Sequence, residues 1–148
     1  MTPGAARPPD RGSVLVLVPA GLLVVLVMAS IAVDMSLVQL RQRQAHDLAA
    51  AAANDAVTAA ADQGRLRAGA YEVDPGAAAA VVERVVAASE LAPHVVGTPA
   101  VRVDDGAVEV EISLRADYVF AGVVPGAPDG STVTATASAT ASAPGAGP

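Results

Sequence analysis

The sequence predicts an α+β protein: one long N-terminal transmembrane helix continuing into an alanine-rich helix, a second amphipathic helix, and a three-stranded antiparallel sheet. Three observations carry this prediction. Residues Ser13 to Val33 form an uncharged run, SVLVLVPAGLLVVLVMASIAV. The stretch behind it, from Asp34 to Asp62, contains neither proline nor glycine. After Gly97 the apolar residues change from helical spacing to strict alternation.

Residues 1–12 carry Pro3, Pro8 and Pro9 with Arg7 and Arg11, a composition expected of a disordered basic arm. The run that follows, residues 13–33, is of spanning length. About twenty helical residues rise about 30 Å, the hydrocarbon thickness of a bilayer. Basic residues ahead of it favour an inside N-terminus, although Arg41 and Arg43 follow within reach. The expected topology is therefore single-pass in the cytoplasmic membrane, with an extracytoplasmic domain over residues 34–142 and a disordered tail over 143–148. A cleaved secretory signal is the competing reading, with Ser30-Ile31-Ala32 resembling a cleavage site. The apolar run exceeds the usual 7–15-residue signal core, and helical character continues past the site.

From Asp34 to Asp62 alanine, leucine, glutamine and arginine dominate, all good helix formers, and Gly64 supplies a stop. The span and this segment are expected to form one helix, with Pro19 removing an N–H. Its residues Ala49, Ala52, Ala53, Ala56 and Ala60 form a face of little bulk. Such a face suits close approach by a neighbour, either this protein's own sheet or another subunit.

A second helix is predicted to start at Asp74-Pro75, a capping acceptor followed by proline at the first helical position. Val81, Val82, Val85, Val86 and Leu91 recur at helical spacing, and Pro93 closes the element.

Val101 and Val103 lead into Asp105-Gly106, a dipeptide favoured in tight hairpins. A two-residue turn there pairs Val103 with Val108, Val101 with Val110 and Arg102 with Glu109. Both valine pairs then share the apolar face, so register and turn agree. The return strand alternates through Val108, Val110, Ile112, Leu114, Ala116, Tyr118 and Phe120. After GVVPGAPDG a third strand is expected, with Val133, Ala135, Ala137, Ala139 and Ala141 on its apolar face.

Composition narrows the function. The net charge of −6 argues against nucleic acid, which demands clustered Lys and Arg. Aromatics are 2% of the chain, a poor supply for a ligand pocket or a base-stacking surface. With no cysteine, disulfides and thiolate metal sites are excluded. The remaining module lies near the lower limit for an independent core, so association with membrane or subunits is the expected supplement. His46 and His94 stand alone without ligand spacing, and Asp104, Asp105, Glu109 and Glu111 fit no calcium loop. There is no phosphate loop, nucleophile elbow or metal-binding histidine pair. No catalytic residue, cofactor, metal or small-molecule substrate is expected. Asp34 is read as the charge that marks the water interface at the end of the span.

The order of parts is a short basic arm, RGS, an apolar span, Val33-Asp34, Arg41-Gln42-Arg43-Gln44, then HDLAAAAANDAVTAAA. It resembles the TadE/TadG-like proteins of tight-adherence (Flp-type) pilus systems, particularly short actinobacterial ones. YEVDPGAAAAVVERVVAAS and DYVFAGVVPGAPDGSTVTATASATA are similar to the second helix and terminal strands of such proteins, so the resemblance covers most of the chain. It implies a pilin-like architecture and a minor pilin or assembly component, with the lipid bilayer and other pilus or assembly-platform subunits as partners. Some members are processed after a glycine, with glutamate fifth in the mature chain. Here Gly12 precedes Ser13, but Leu17 occupies the fifth position, so efficient processing at Gly12/Ser13 is not expected. The alternative function is a membrane-tethered extracytoplasmic binding domain. It requires an apolar pocket with convergent polar groups. A tethered hydrolase would need a nucleophile–base pair, and none is recognisable.

Overall fold

The computed structural model describes residues 13–60 and 73–140, with side chains from residue 17 onward. Readings that fall on residues 1–12, 61–72 and 141–148 lie outside the described residues. These include the basic arm, Gly12, Gly64, Ala141 and the tail.

Helix α1 runs without interruption over Ser13–Ala60, 48 residues that include Pro19. It has two regimes. From Leu17 to Val33 nearly every residue is exposed, on all sides of the helix. A helix that is apolar all round and unburied has the character of a membrane span. Among the described residues, α1 is the one helix long and apolar enough to cross a bilayer. From Asp34 onward burial is confined to one stripe: Asp34, Ala45, Leu48, Ala49, Ala52, Ala53, Ala56, Val57 and Ala60. Val38 and Arg41, half-buried, fill the gap between Asp34 and Ala45. This is the spacing of three and four that keeps one helix face on a neighbour.

Helix α2 (Pro75–Ala88) begins as its sequence predicts. Asp74 accepts a 2.6 Å hydrogen bond from the Ala77 amide, and Pro75 occupies the first turn. Ala78, Val81, Val82 and Val86 are buried. The helix ends at Ala88, earlier than the expected stop at Pro93. Ser89 leaves helical geometry and its Oγ accepts from the Leu91 amide, a side-chain bond that competes with the helical ladder. Leu91 and Pro93 fall in or beside a short 3-10 turn at Ala92–His94.

Strands β1 (Ala100–Asp104), β2 (Ala107–Asp117) and β3 (Gly130–Thr140) form an antiparallel sheet in the order β1-β2-β3. Val103 pairs with Val108, Arg102 with Glu109 and Val101 with Val110, the register derived from the turn. Asp105 and Gly106 both have positive φ, 47° and 78°, as a two-residue type I′ turn requires. The apolar alternation expected to Phe120 stops at Asp117. There the chain leaves the sheet: Tyr118 is half-buried, and Val119 and Phe120 are exposed.

One layer of helix covers one face of the sheet. Val108, Val110, Ile112, Leu114 and Ala116 of β2, with Val133, Ala135 and Ala139 of β3, meet the α1 stripe and α2. Ten of the 21 buried apolar residues among those described are alanine. Each contributes little transfer energy, so this core relies on short separations between elements.

Candidate functional site

The geometry singles out the junction where the exposed apolar part of α1 becomes the packed part. Asp34 is its centre. It is the first member of the buried stripe and the one buried charged side chain among the described residues. Its carboxylate accepts three backbone N–H groups from the β2–β3 connection. Val119 and Phe120 donate to Oδ1 at 2.8 and 3.1 Å, and Ala121 donates to Oδ2 at 2.8 Å. Ala121 opens a 3-10 turn at Ala121–Val123. A carboxylate is well placed there, because the free N–H groups of a turn start carry partial positive charge. Burial works to raise this carboxyl, but the amides of Ala121, Phe120 and Val119 outweigh it and hold Asp34 below its ordinary value. The exit of β2 at Asp117 follows directly: the amides that would extend the strand turn to a helix side chain 85 to 87 residues away in sequence.

Two further contacts fix the helix beyond this point, one to the sheet and one to the 3-10 turn at Ala92–His94. Gln42 Nε2 donates to the Thr134 carbonyl at 2.9 Å, occupying an acceptor on the edge strand β3. The Arg41 guanidinium donates to Gln44 Oε1 at 3.0 Å and lies 3.2 Å from His94 Nε2. A guanidinium has no acceptor, so His94 Nε2 is the acceptor in that contact. His94 thus serves as a packing partner of α1. His46 is exposed on the same helix. On the open face, Arg115 bridges Asp117 at 2.7 Å and Asp129 at 3.0 Å, holding the Asp117 carboxyl below its ordinary value. Arg102 and Glu109 meet at 3.0 Å across the hairpin. These pairs are exposed and contribute little to stability.

The alanine face expected to admit a neighbour is fully used within the chain. Ala49, Ala52, Ala53 and Ala56 have no exposed surface and Ala60 is 5% exposed. Of the two neighbours left open by the sequence, the one seated on these residues is the chain's own sheet with α2. Ser13 is the first residue of α1, and Gly12 lies outside the described residues. Asp104, Asp105, Glu109 and Glu111 remain on the hairpin, and no group of three or more metal-ligating side chains forms among the described residues. Among the described residues there are shallow surface grooves. One runs between α1 and β3, lined by Gln42, Arg43, His46, Asp47 and Thr134. Another, beside α2, is lined by Asp55, Thr58, Val81, Arg84 and Val85.

Sequence reasoning located Asp34 but assigned it only to the water interface. Its position one residue past the uncharged run was legible; its partners were not, since backbone amides leave no mark in a sequence. Comparison with protein-family models, curated proteins and solved structures gives no match for this chain.

Proposed function

We propose that this protein is a membrane-anchored, minor pilin-like structural component of a tight-adherence pilus or of its assembly apparatus. The observation that carries the reading is the continuity of α1. One helix supplies an exposed apolar segment of spanning length and, past Asp34, the spine of a small α+β head. A head built on the same helix as its anchor transmits position and force without a linker, which suits a subunit in an envelope assembly. The triple amide lock at Asp34 and the Gln42 contact with β3 stiffen that joint further. The likeness of the span, the Arg/Gln turn and the alanine run to TadE/TadG-like proteins gives the specific assignment. In this reading the N-terminus is inside, the head is extracytoplasmic, and the partners are the bilayer and other pilus or platform subunits.

The test is deletion of the gene in the native host, with electron microscopy of surface filaments, and affinity recovery of the full chain from detergent-solubilised membranes. Loss of filaments, restored by complementation, with co-recovery of polytopic platform proteins is the expected result. Unchanged filaments together with no recovered platform protein would overturn the assignment.

A further inference from the structure

Among the described residues, the connection between β2 and β3 contributes nothing to the buried core, yet it is the most apolar exposed part of the head. From Tyr118 to Pro128 it reads YVFAGVVPGAP, eleven residues without a charge. Beyond α1, the exposed large apolar side chains among the described residues are Val96, Val119, Phe120, Val123 and Val124. Four of those five lie in this connection, and Val123 is 79% exposed. Two of the chain's three aromatic residues, Tyr118 and Phe120, are here as well. The segment is also ordered. Tyr118 N–H donates to the Asp129 carbonyl at 2.9 Å, closing its neck, and Val123, Val124 and Ala127 donate to Phe120, Ala121 and Val124.

What lies against this patch follows from where it is tied. Asp34 holds the amides of residues 119–121, and Asp34 directly follows Val33, the last residue of the apolar run. The patch therefore stands at the level where α1 leaves the bilayer. The rest of the head extends away from that level. Gln42, about 12 Å further along the helix at 1.5 Å per residue, meets Thr134, about 13 Å along β3 from Gly130 at some 3.3 Å per residue. The β1–β2 turn lies at the far end of β2, eleven residues on.

We infer that the Tyr118–Pro128 connection is a membrane-contacting foot: Phe120, Val123 and Val124 insert among lipid headgroups and upper acyl chains beside α1, with Asp34 fixing their depth. The chemistry fits a lipid surface. Apolar side chains are favoured at the headgroup boundary, the ring of tyrosine suits the interface, and charge within the segment is absent. An apolar patch of this kind left in water would be an aggregation liability. The foot gives the head a second attachment, so that it stands at a set angle instead of rotating freely about α1. The inference rests on α1 being a membrane anchor, and the experiment separates the two.

The chain has no cysteine, so single substitutions give unique labelling sites. Val123→Cys, Leu23→Cys and Asp105→Cys in the full-length protein are each labelled with bimane. They are reconstituted in phosphatidylcholine/phosphatidylglycerol vesicles with and without lipids brominated on the acyl chains. Leu23 is expected to be strongly quenched, Asp105 unquenched, and Val123 quenched to an intermediate level with blue-shifted emission. Quenching at Leu23 but none at Val123 overturns the foot while leaving the anchor intact. No quenching at Leu23 overturns the anchor and the foot together. A Val123 probe shielded from aqueous iodide but untouched by brominated lipid identifies a protein neighbour, such as a second copy, and likewise overturns the lipid assignment.

Discussion

Among the described side chains Asp34 ties the most backbone across the fold, because three amides depend on one carboxylate. Asp34→Ala removes every acceptor and leaves those part-buried donors without a protein partner, an unfavourable state wherever water does not replace the carboxylate. The expected outcome is faster hydrogen exchange at Val119, Phe120 and Ala121, with protection retained at Ile112 and Leu114 in the sheet. Asp34→Asn, which keeps one acceptor oxygen, should fall between. The pH dependence has a defined sign. The carboxyl is held below its ordinary value of 3.8 in the folded chain. Its contribution is therefore present above that value and is lost as pH falls through the depressed folded value. Acidification below about pH 4 should lower the protection of the three amides, measured relative to their intrinsic exchange rates, in the parent protein and change little in Asp34→Ala. Gly130 makes a second residue-scale case. A Cβ there would stand 2.6 Å from the Ala116 carbonyl oxygen and 3.2 Å from Asp117 Cα. Backbone cannot yield as a side chain can, so Gly130→Ala should destabilise the head by about 1–3 kcal/mol, the usual range for overpacking, measured by urea denaturation of the detergent-solubilised chain.

At the scale of elements, the alanine stripe of α1 sets how near helix and sheet can lie. Ala52 has no exposed surface and belongs to the core that α1 forms with β2, β3 and α2. Ala52→Leu adds three heavy atoms where no space is left, and is expected to cost about 1–3 kcal/mol in the same denaturation measurement. Thr58→Leu, on the exposed side of the helix, should change stability by no more than about 0.5 kcal/mol, as surface substitutions do. The hairpin was legible residue by residue, because Asp105-Gly106 dictates a turn and the turn dictates the valine pairs. The end of β2 was not. Its period-2 pattern continues through Tyr118 and Phe120, and only the capture of the following amides by Asp34 takes those residues off the sheet. The end of α2 shows the same limit on a smaller scale: Ser89 favours its own local bond over continuing a helix whose apolar spacing persists to Leu91.

For the whole molecule, the consequence of one continuous helix is that the head's location is decided by the orientation of the span. With the N-terminus inside, alkaline phosphatase fused after residue 148 should be active and a cytoplasm-dependent fluorescent reporter at the same site dark. The reverse pattern would put the head in the cytoplasm and remove the extracytoplasmic pilus role. The small core explains why the chain commits so much of its length to α1. Strands with alanine on their inner face bury little area each, and a long alanine-rich helix laid along both β2 and β3 recovers contact by proximity.

By itself the sequence determined the elements and their order. A long uncharged run makes a helix of spanning length, uninterrupted helix formers continue it, and alternation around a type I′ dipeptide fixes a hairpin and its register. These are local statements, governed by backbone geometry and by solvent within a few residues. Tertiary structure alone decided which neighbour the alanine stripe received, where β2 ends, and what Asp34 holds. Each of those depends on backbone groups or closely packed surfaces brought together from separate elements, 85 to 87 residues apart in the case of Asp34 and its amides. Hydrogen-bonding amides and small side chains are present along the whole chain, so no residue pattern marks the ones that meet.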